Sequence, residues 1–140
     1  SGWDLKAKNK PGIYKIEALG AAIGQALDRS LGERRGIRRY GSASVPMDEA
    51  LSDVSLDFSG RPYLIFSGEL KCARIGDFET DLLAPFLEAL AIGARLTLHV
   101  RFYGENDHHK IESIFKALGL AVRLAAGLEG KGVPSTKGLI

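Results

Sequence analysis

The chain has 140 residues, 45% of them apolar and 26% charged, with a formal net charge of +2. That is the composition of one ordinary soluble globular domain, long enough to bury a core. The charge is too small to argue for a nucleic-acid partner, no apolar run approaches the ~18 residues of a membrane helix, and no signal peptide is visible.

Trp3 to Lys8 alternates Trp, Leu and Ala with Asp and Lys, which is strand-like. Asn9-Lys10-Pro11-Gly12 is turn chemistry. From about Tyr14 to Leu31, apolar residues at Ile16, Leu19, Ile23, Leu27 and Leu31 recur at helical spacing. Small residues between them (Gly20, Ala21, Gly24, Ala26) permit close approach of another helix, and Gly32 ends the run. Arg34, Arg35, Arg38 and Arg39 then crowd six positions, as a solvated loop or an anion site. The opening Ser1-Gly2 lacks methionine and reads as a trimmed start, with the natural protein expected to begin earlier.

Ser42 to Val45 reads as a short strand stopped by Pro46. Leu51 to Phe58 reads as a strand with Leu51, Val54, Leu56 and Phe58 inward, and Tyr63 to Ala73 as the next, an antiparallel neighbour across Ser59-Gly60-Arg61-Pro62. The single cysteine, Cys72, excludes an internal disulfide and fits a reducing compartment; its apolar-looking surroundings read it as structural. A helix follows from about Thr80 to Ile92, with Pro85 in its first turns or kinking it. Leu96 to Tyr103 is a strand. Asp107 to Leu128 is a long final helix, with a stripe of Ile111, Ile114, Phe115, Leu118, Val122, Ala125 and Leu128. Glu129 to Ile140, rich in Gly, Lys, Ser and Pro, reads as a terminal tail. Strands mixed with helices argue α+β, a sheet with helices on one face.

Offset by 95 positions, Ile13-Tyr14-Lys15-Ile16-Glu17 aligns with His108-His109-Lys110-Ile111-Glu112, and Ala22, Gly24 and Ala26 fall on Ala117, Gly119 and Ala121. The chain reads as one complete repeat preceded by the strand and helix of another.

The second copy of that segment carries the chemistry. Two of the three histidines stand side by side at His108 and His109. A helix starting at Asp107, a natural N-cap, puts His108 four residues and His109 three residues from Glu112, and Lys116 one turn further along the same face. An imidazole and a carboxylate can then reach one ion. The positive helix end disfavours protonated histidine, and neutral imidazole is the metal-binding form. The plainer alternative is two exposed histidines opening a surface helix.

Arg39-Tyr40-Gly41, Val45-Pro46-Met47-Asp48-Glu49-Ala50-Leu51, Asp57-Phe58-Ser59-Gly60-Arg61-Pro62, Leu98-His99, Asp107 to Glu112, Phe115-Lys116-Ala117 and Pro134-Ser135-Thr136-Lys137-Gly138 follow one another as in imidazoleglycerol-phosphate dehydratase. Over nearly its whole length the chain resembles that family. The resemblance implies a hydro-lyase of histidine biosynthesis, converting imidazole glycerol phosphate to imidazole acetol phosphate. It implies a duplicated β-β-β-α-β-α fold of the ribosomal S5 domain 2-like kind, with helices layered between sheets. Residues 1–32 would be the remnant of the first repeat, 33–128 the complete second repeat and 129–140 a substrate-binding tail. It also implies manganese, a cytoplasmic homo-oligomer with active sites between subunits, and a small phosphorylated imidazole substrate, with neither nucleic acid nor membrane as partner.

Residue by residue, the resemblance makes His108, His109 and Glu112 metal ligands. Glu112 is also the proton-moving carboxylate, supported by Lys116. Arg39, Arg61, Ser135 and Lys137 match phosphate-binding positions. Glu17 is what remains of a matching motif in the first repeat, a metal and catalytic position. His99 is open to a buried hydrogen-bonded role or a ligand role. Pro46-Met47-Asp48-Glu49 is assigned to turn and interface structure. Metal at the imidazole ring stabilises the charge that develops, a positioned carboxylate moves protons, and a phosphate clamp orients the substrate.

The sequence also departs from the family. Ile13 and Tyr14 stand where the first repeat carries histidines, and Pro85 replaces another. Fewer ions than the family's two are therefore expected. The alternative function is an inactive homologue or fragment that keeps the fold and a phosphate pocket. Uncovered apolar helix faces predict self-association.

Overall fold

The computed structural model describes residues 7–129. Helix α1 (Ile13–Leu31) is followed by strands β1 (Tyr40–Met47), β2 (Ala50–Asp57) and β3 (Tyr63–Ser67) and a small ribbon, β4 (Arg74–Ile75) with β5 (Phe78–Glu79). A 3-10 turn at Thr80–Leu82 leads into α2 (Leu83–Ala94), then β6 (Thr97–Tyr103) and α3 (Asp107–Ala126). The main sheet has the order β1-β2-β6-β3. The first two pairings are antiparallel, and β3 runs parallel to β6.

The sheet buries one face. Ala50, Ser52, Val54 and Leu56 of β2 point inward beside Leu98, Val100 and Phe102 of β6. The expected phase of β2 therefore holds for Val54 and Leu56, while Leu51 turns to the other face and Ser52 is buried. Ser52 is tolerated there because its hydroxyl meets Ser113 Oγ and the Lys110 carbonyl of α3. Helix α3 covers β1 and β2, and α2 lies against β3. Helix α1 packs on the far side of α2, which is why α2 is apolar on nearly every side. Gly20 and Gly24 of α1 and Gly93 of α2 make that crossing close: a Cβ at any of them would overlap a backbone carbonyl of the opposite helix.

Several sequence expectations change. Strand β1 continues through Pro46, paired with Leu51, because β1 is the sheet edge, where a missing N–H costs least. β2 and β3 are not neighbours; β6 inserts between them. β3 ends at Ser67, where Gly68 has φ 148°. The segment after it forms a loop, so Cys72 is exposed rather than structural. Pro85 falls in the first turn of α2, as expected. The strand expected over Trp3–Lys8 lies mostly outside the described residues; Ala7 is buried against Ile13 and Leu82, and Lys8 begins a turn. The arginine run is not simply solvated either. Arg34 is 1% exposed, lies over the Phe58 ring, and donates to the Ala94 and Arg95 carbonyls and to Asp28.

Candidate active site

The β1–β2 hairpin and the β6–α3 turn meet at one end of the sheet, because Leu51 pairs with Tyr103. Helix α3 begins there. Its N-cap is Asn106, whose side chain accepts the His109 N–H at 3.1 Å, not Asp107 as the sequence suggested. Asp107 is buried instead. It pairs with the buried Lys110 at 3.1 Å and accepts the Cys72 N–H at 2.6 Å, while Lys110 Nζ also donates to the Glu69 carbonyl. Burial alone would raise the Asp107 pKa, but the N–H groups of Cys72 and Lys71 and the Lys110 ammonium together hold it below the usual range. This pair pins the loop after β3 onto the start of α3.

On the outer face of α3, His108 Nε2 lies 3.2 Å from Glu112 Oε2, and Lys116 Nζ lies 3.3 Å from Glu112 Oε1. The expected ladder is present, with each oxygen of one carboxylate facing a different partner. His109 does not join it. Its Nδ1 lies 2.6 Å from Glu49 Oε1 in the β1–β2 turn, and Asp48 Oδ2 stands 3.6 Å from its Nε2. Glu49 Oε2 accepts the backbone N–H groups of Glu105 and Asn106, both at 2.8 Å. The Asn106 N–H, then the His109 ring and the Glu105 N–H, pull the Glu49 pKa down to about 2. In turn the Glu49 carboxylate raises the His109 pKa. The helix end was expected to disfavour the protonated ring; the adjacent carboxylate outweighs it.

Glu49 is the residue that sequence reasoning missed. It was assigned to turn structure, and only the strand pairing, which is non-local, brings it to the histidines. An acidic residue in a tight turn was the available signal.

The remaining candidates lie elsewhere. Arg39 grips Asp57 through Nε (2.6 Å) and Nη2 (3.3 Å) and lies over the Tyr40 ring. The Arg61 backbone is pinned by Ser59 Oγ and Thr97 Oγ1, while its side chain is exposed. Both arginines are at the opposite end of the sheet from Glu49. The Arg39 N–H donates to the Ala125 carbonyl, near the end of α3. Sixteen helical residues separate Ala125 from His109, about 24 Å. Glu17 is exposed on α1, in a groove beside Pro85 and Glu88, and no contact among the described residues joins it to the histidines. His99 is exposed on the open face of the sheet, so the buried reading does not hold. Ser135 and Lys137 lie outside the described residues.

The donor set on α3 suits a divalent metal. Imidazole and carboxylate are ligands manganese accepts, and 3.2 Å between His108 Nε2 and Glu112 Oε2 is close to the roughly 3 Å between neighbouring donors each about 2.1 Å from one ion. Among the described residues no three such groups converge on one point, so His108–Glu112 is a two-donor arm and His109 a separate one.

Residues 2–122 match the model of the imidazoleglycerol-phosphate dehydratase family. The chain belongs to that family. It is 50% identical to the imidazoleglycerol-phosphate dehydratase of Acetivibrio thermocellus, with 98% of this chain and 73% of the relative covered, and 51% identical to that of Moorella thermoacetica, with 98% and 70% covered. Among solved structures it resembles the dehydratase of Staphylococcus aureus (TM-score 0.81, 40% identity, 86% of this chain and 70% of that one) and that of Pyrococcus furiosus (0.80, 38%, 94% and 73%). As an imidazoleglycerol-phosphate dehydratase family member, the chain is a hydro-lyase of histidine biosynthesis with that family's α+β fold. The inactive alternative finds no support in these relatives. No helix among the described residues is long and apolar enough to cross a membrane.

Proposed function

We propose that this chain eliminates water from imidazole glycerol phosphate, as a cytoplasmic homo-oligomer, at manganese sites completed by neighbouring copies. The observation that carries the reading is the His108–Glu112–Lys116 ladder, beside a His109 held by Glu49.

Elimination breaks a C–H and a C–OH bond on adjacent carbons and releases water, and the enol so formed gains a proton at carbon and loses its hydroxyl proton to become the ketone. Glu112 is placed to move those protons. The Lys116 ammonium, 3.3 Å from Oε1, fixes the orientation of that carboxylate. His108 with Glu112, and His109 as a separate arm, would hold metal, which supplies Lewis acidity to the substrate's imidazole ring when bound. Glu17, on a separate helix, would serve a different half-site. Arg61 and Arg39 bind the phosphate end. Asp57 presets the Arg39 guanidinium, and Arg61 offers an exposed fork on a fixed backbone.

Along α3, Glu112 lies 13 residues, about 20 Å, from Ala125, whose carbonyl accepts the Arg39 N–H, a long span for one small substrate. This spacing favours a phosphate clamp and a proton-moving carboxylate contributed by different copies. The apolar groove of about 550 Å³ between α1 and α3, lined by Ile23, Leu27, Phe115 and Val122, also favours self-association.

The test is turnover of imidazole glycerol phosphate with added manganese. The parent chain forms imidazole acetol phosphate, and E112Q loses roughly 10²-fold or more in kcat. Full activity in E112Q excludes this role.

A further inference from the structure

Glu49 occupies a turn that the strand pairing presses against the start of α3. Asp48 before it has φ 51°, in the left-handed region that tight turns use. Gly104, with φ 152°, lets the β6–α3 turn close over the hairpin; a Cβ there would lie 2.8 Å from Ala50 Cα and 3.1 Å from Glu49 Oε2. The result is a carboxylate with its two oxygens differently engaged. Oε2 is held by two backbone donors, the N–H groups of Glu105 and Asn106, and Oε1 is left to face His109 Nδ1 at 2.6 Å. An ionised carboxylate only accepts. Nδ1 must therefore carry the proton, and in the neutral ring Nε2 keeps its lone pair. Asp48 Oδ2, at 3.6 Å from Nε2, is beyond hydrogen-bond distance and does not compete for it. The same Asn106 that donates to Glu49 also caps the His109 N–H, so ring and backbone are fixed by one cluster.

We propose that Glu49 is the positioning residue for His109, holding the proton on Nδ1 so that Nε2 is the ring's ligand atom. A carboxylate behind a ligating imidazole is a recurrent way to fix tautomer and ring direction. The inference rests on the reading of His109 as a metal ligand, and its test separates the two.

Glutamine at this position gives opposed demands. Its single oxygen can satisfy the two backbone donors or the ring, but not both. Two donors outweigh one, so in E49Q the oxygen stays on Glu105 and Asn106 and the amide NH₂ turns to His109. An NH₂ donor requires an unprotonated Nδ1 and moves the proton to Nε2. The variant keeps the helix cap and the fold while reversing the tautomer.

The experiment is long-range ¹H–¹⁵N correlation of the histidine rings in the metal-free full chain near pH 8.5, with the same proteins titrated with Mn²⁺ and free metal read by electron paramagnetic resonance. The parent chain shows a protonated Nδ1 and a bare Nε2 at His109. E49Q shows the reverse, and its Mn²⁺ affinity falls roughly 10- to 100-fold. A protonated Nε2 in the parent overturns the proposal, which keeps it testable even if E49Q does not fold. A retained Nδ1 proton in E49Q, or an unchanged affinity, overturns it as well. If the parent binds no Mn²⁺ while H109A and the parent behave alike, the metal reading fails, and the ring signals alone decide the role of Glu49.

Discussion

Gly24 of α1 sits directly against the carbonyl of Leu90 in α2, with no room for a Cβ between them. Its counterpart in the internal repeat, Gly119 of α3, has nothing within 4 Å of the same position. One glycine is a packing requirement and the other lines an open groove. G24A is therefore expected to destabilise the fold by roughly 1–3 kcal/mol through overpacking. G119A should be neutral or stabilising by up to about 1 kcal/mol, because alanine is the better helix former. Urea unfolding of the two variants checks the contrast; equal effects would contradict the crossing described.

Lys110 and Asp107 form a buried pair, with both side chains 2% exposed. K110M leaves the Asp107 carboxylate buried without its cation and releases the Glu69 carbonyl. A loss of roughly 3–5 kcal/mol is expected, with faster hydrogen exchange at the Cys72 N–H. Unchanged exchange there would show that the pair does not hold the loop.

Asp28 joins the end of α1 to the end of α2 through Arg34 at 2.8 Å and Arg95 at 3.0 Å. Burial opposes its charge, but these two guanidinium groups lower its pKa below the ordinary 3.8. A lowered folded value means the contribution is complete above pH 3.8 and is lost as pH falls through the folded value. D28N should therefore lower stability at neutral pH and flatten the acid limb below about pH 4. Parallel acid-denaturation curves for parent and D28N would contradict the linkage.

Arg61 has a fixed backbone and an exposed side chain, so R61A should leave the melting temperature nearly unchanged. A lost charged hydrogen bond to the substrate's phosphate is worth about 2 kcal/mol, or roughly 30-fold in KM. Steady-state kinetics separates this from a folding defect, and an unaltered KM would remove Arg61 from the clamp.

The helices were legible because apolar spacing along one helix is a local signal. Ile16, Ile23 and Leu27 repeat at helical spacing, and α1 and α3 end within two residues of where the pattern stops. The sheet was less so, because the partner of β3 is β6, placed only after α2 returns the chain. That is why Tyr63–Ala73 was drawn too long and beside β2. The His108–Glu112–Lys116 ladder followed from helical spacing alone. The rest of the site did not. His109 turns to a residue 60 positions away, Lys110 is buried because a loop carbonyl and a neighbouring carboxylate satisfy its ammonium, and Arg34 is buried by helix-end carbonyls. No spacing rule carries those non-local partners.

The central claim is that one active site draws Glu112 and Arg61 from different copies of the chain. Mixing E112Q and R61A chains under conditions that exchange subunits, assayed at substrate well below the parent KM where each variant alone is impaired, tests it most directly. Dehydratase activity well above the sum of the two variants assayed alone is expected, since some mixed sites carry both native residues. Activity that stays at that sum, with exchange verified, would contradict a shared site and place the whole reaction within one chain.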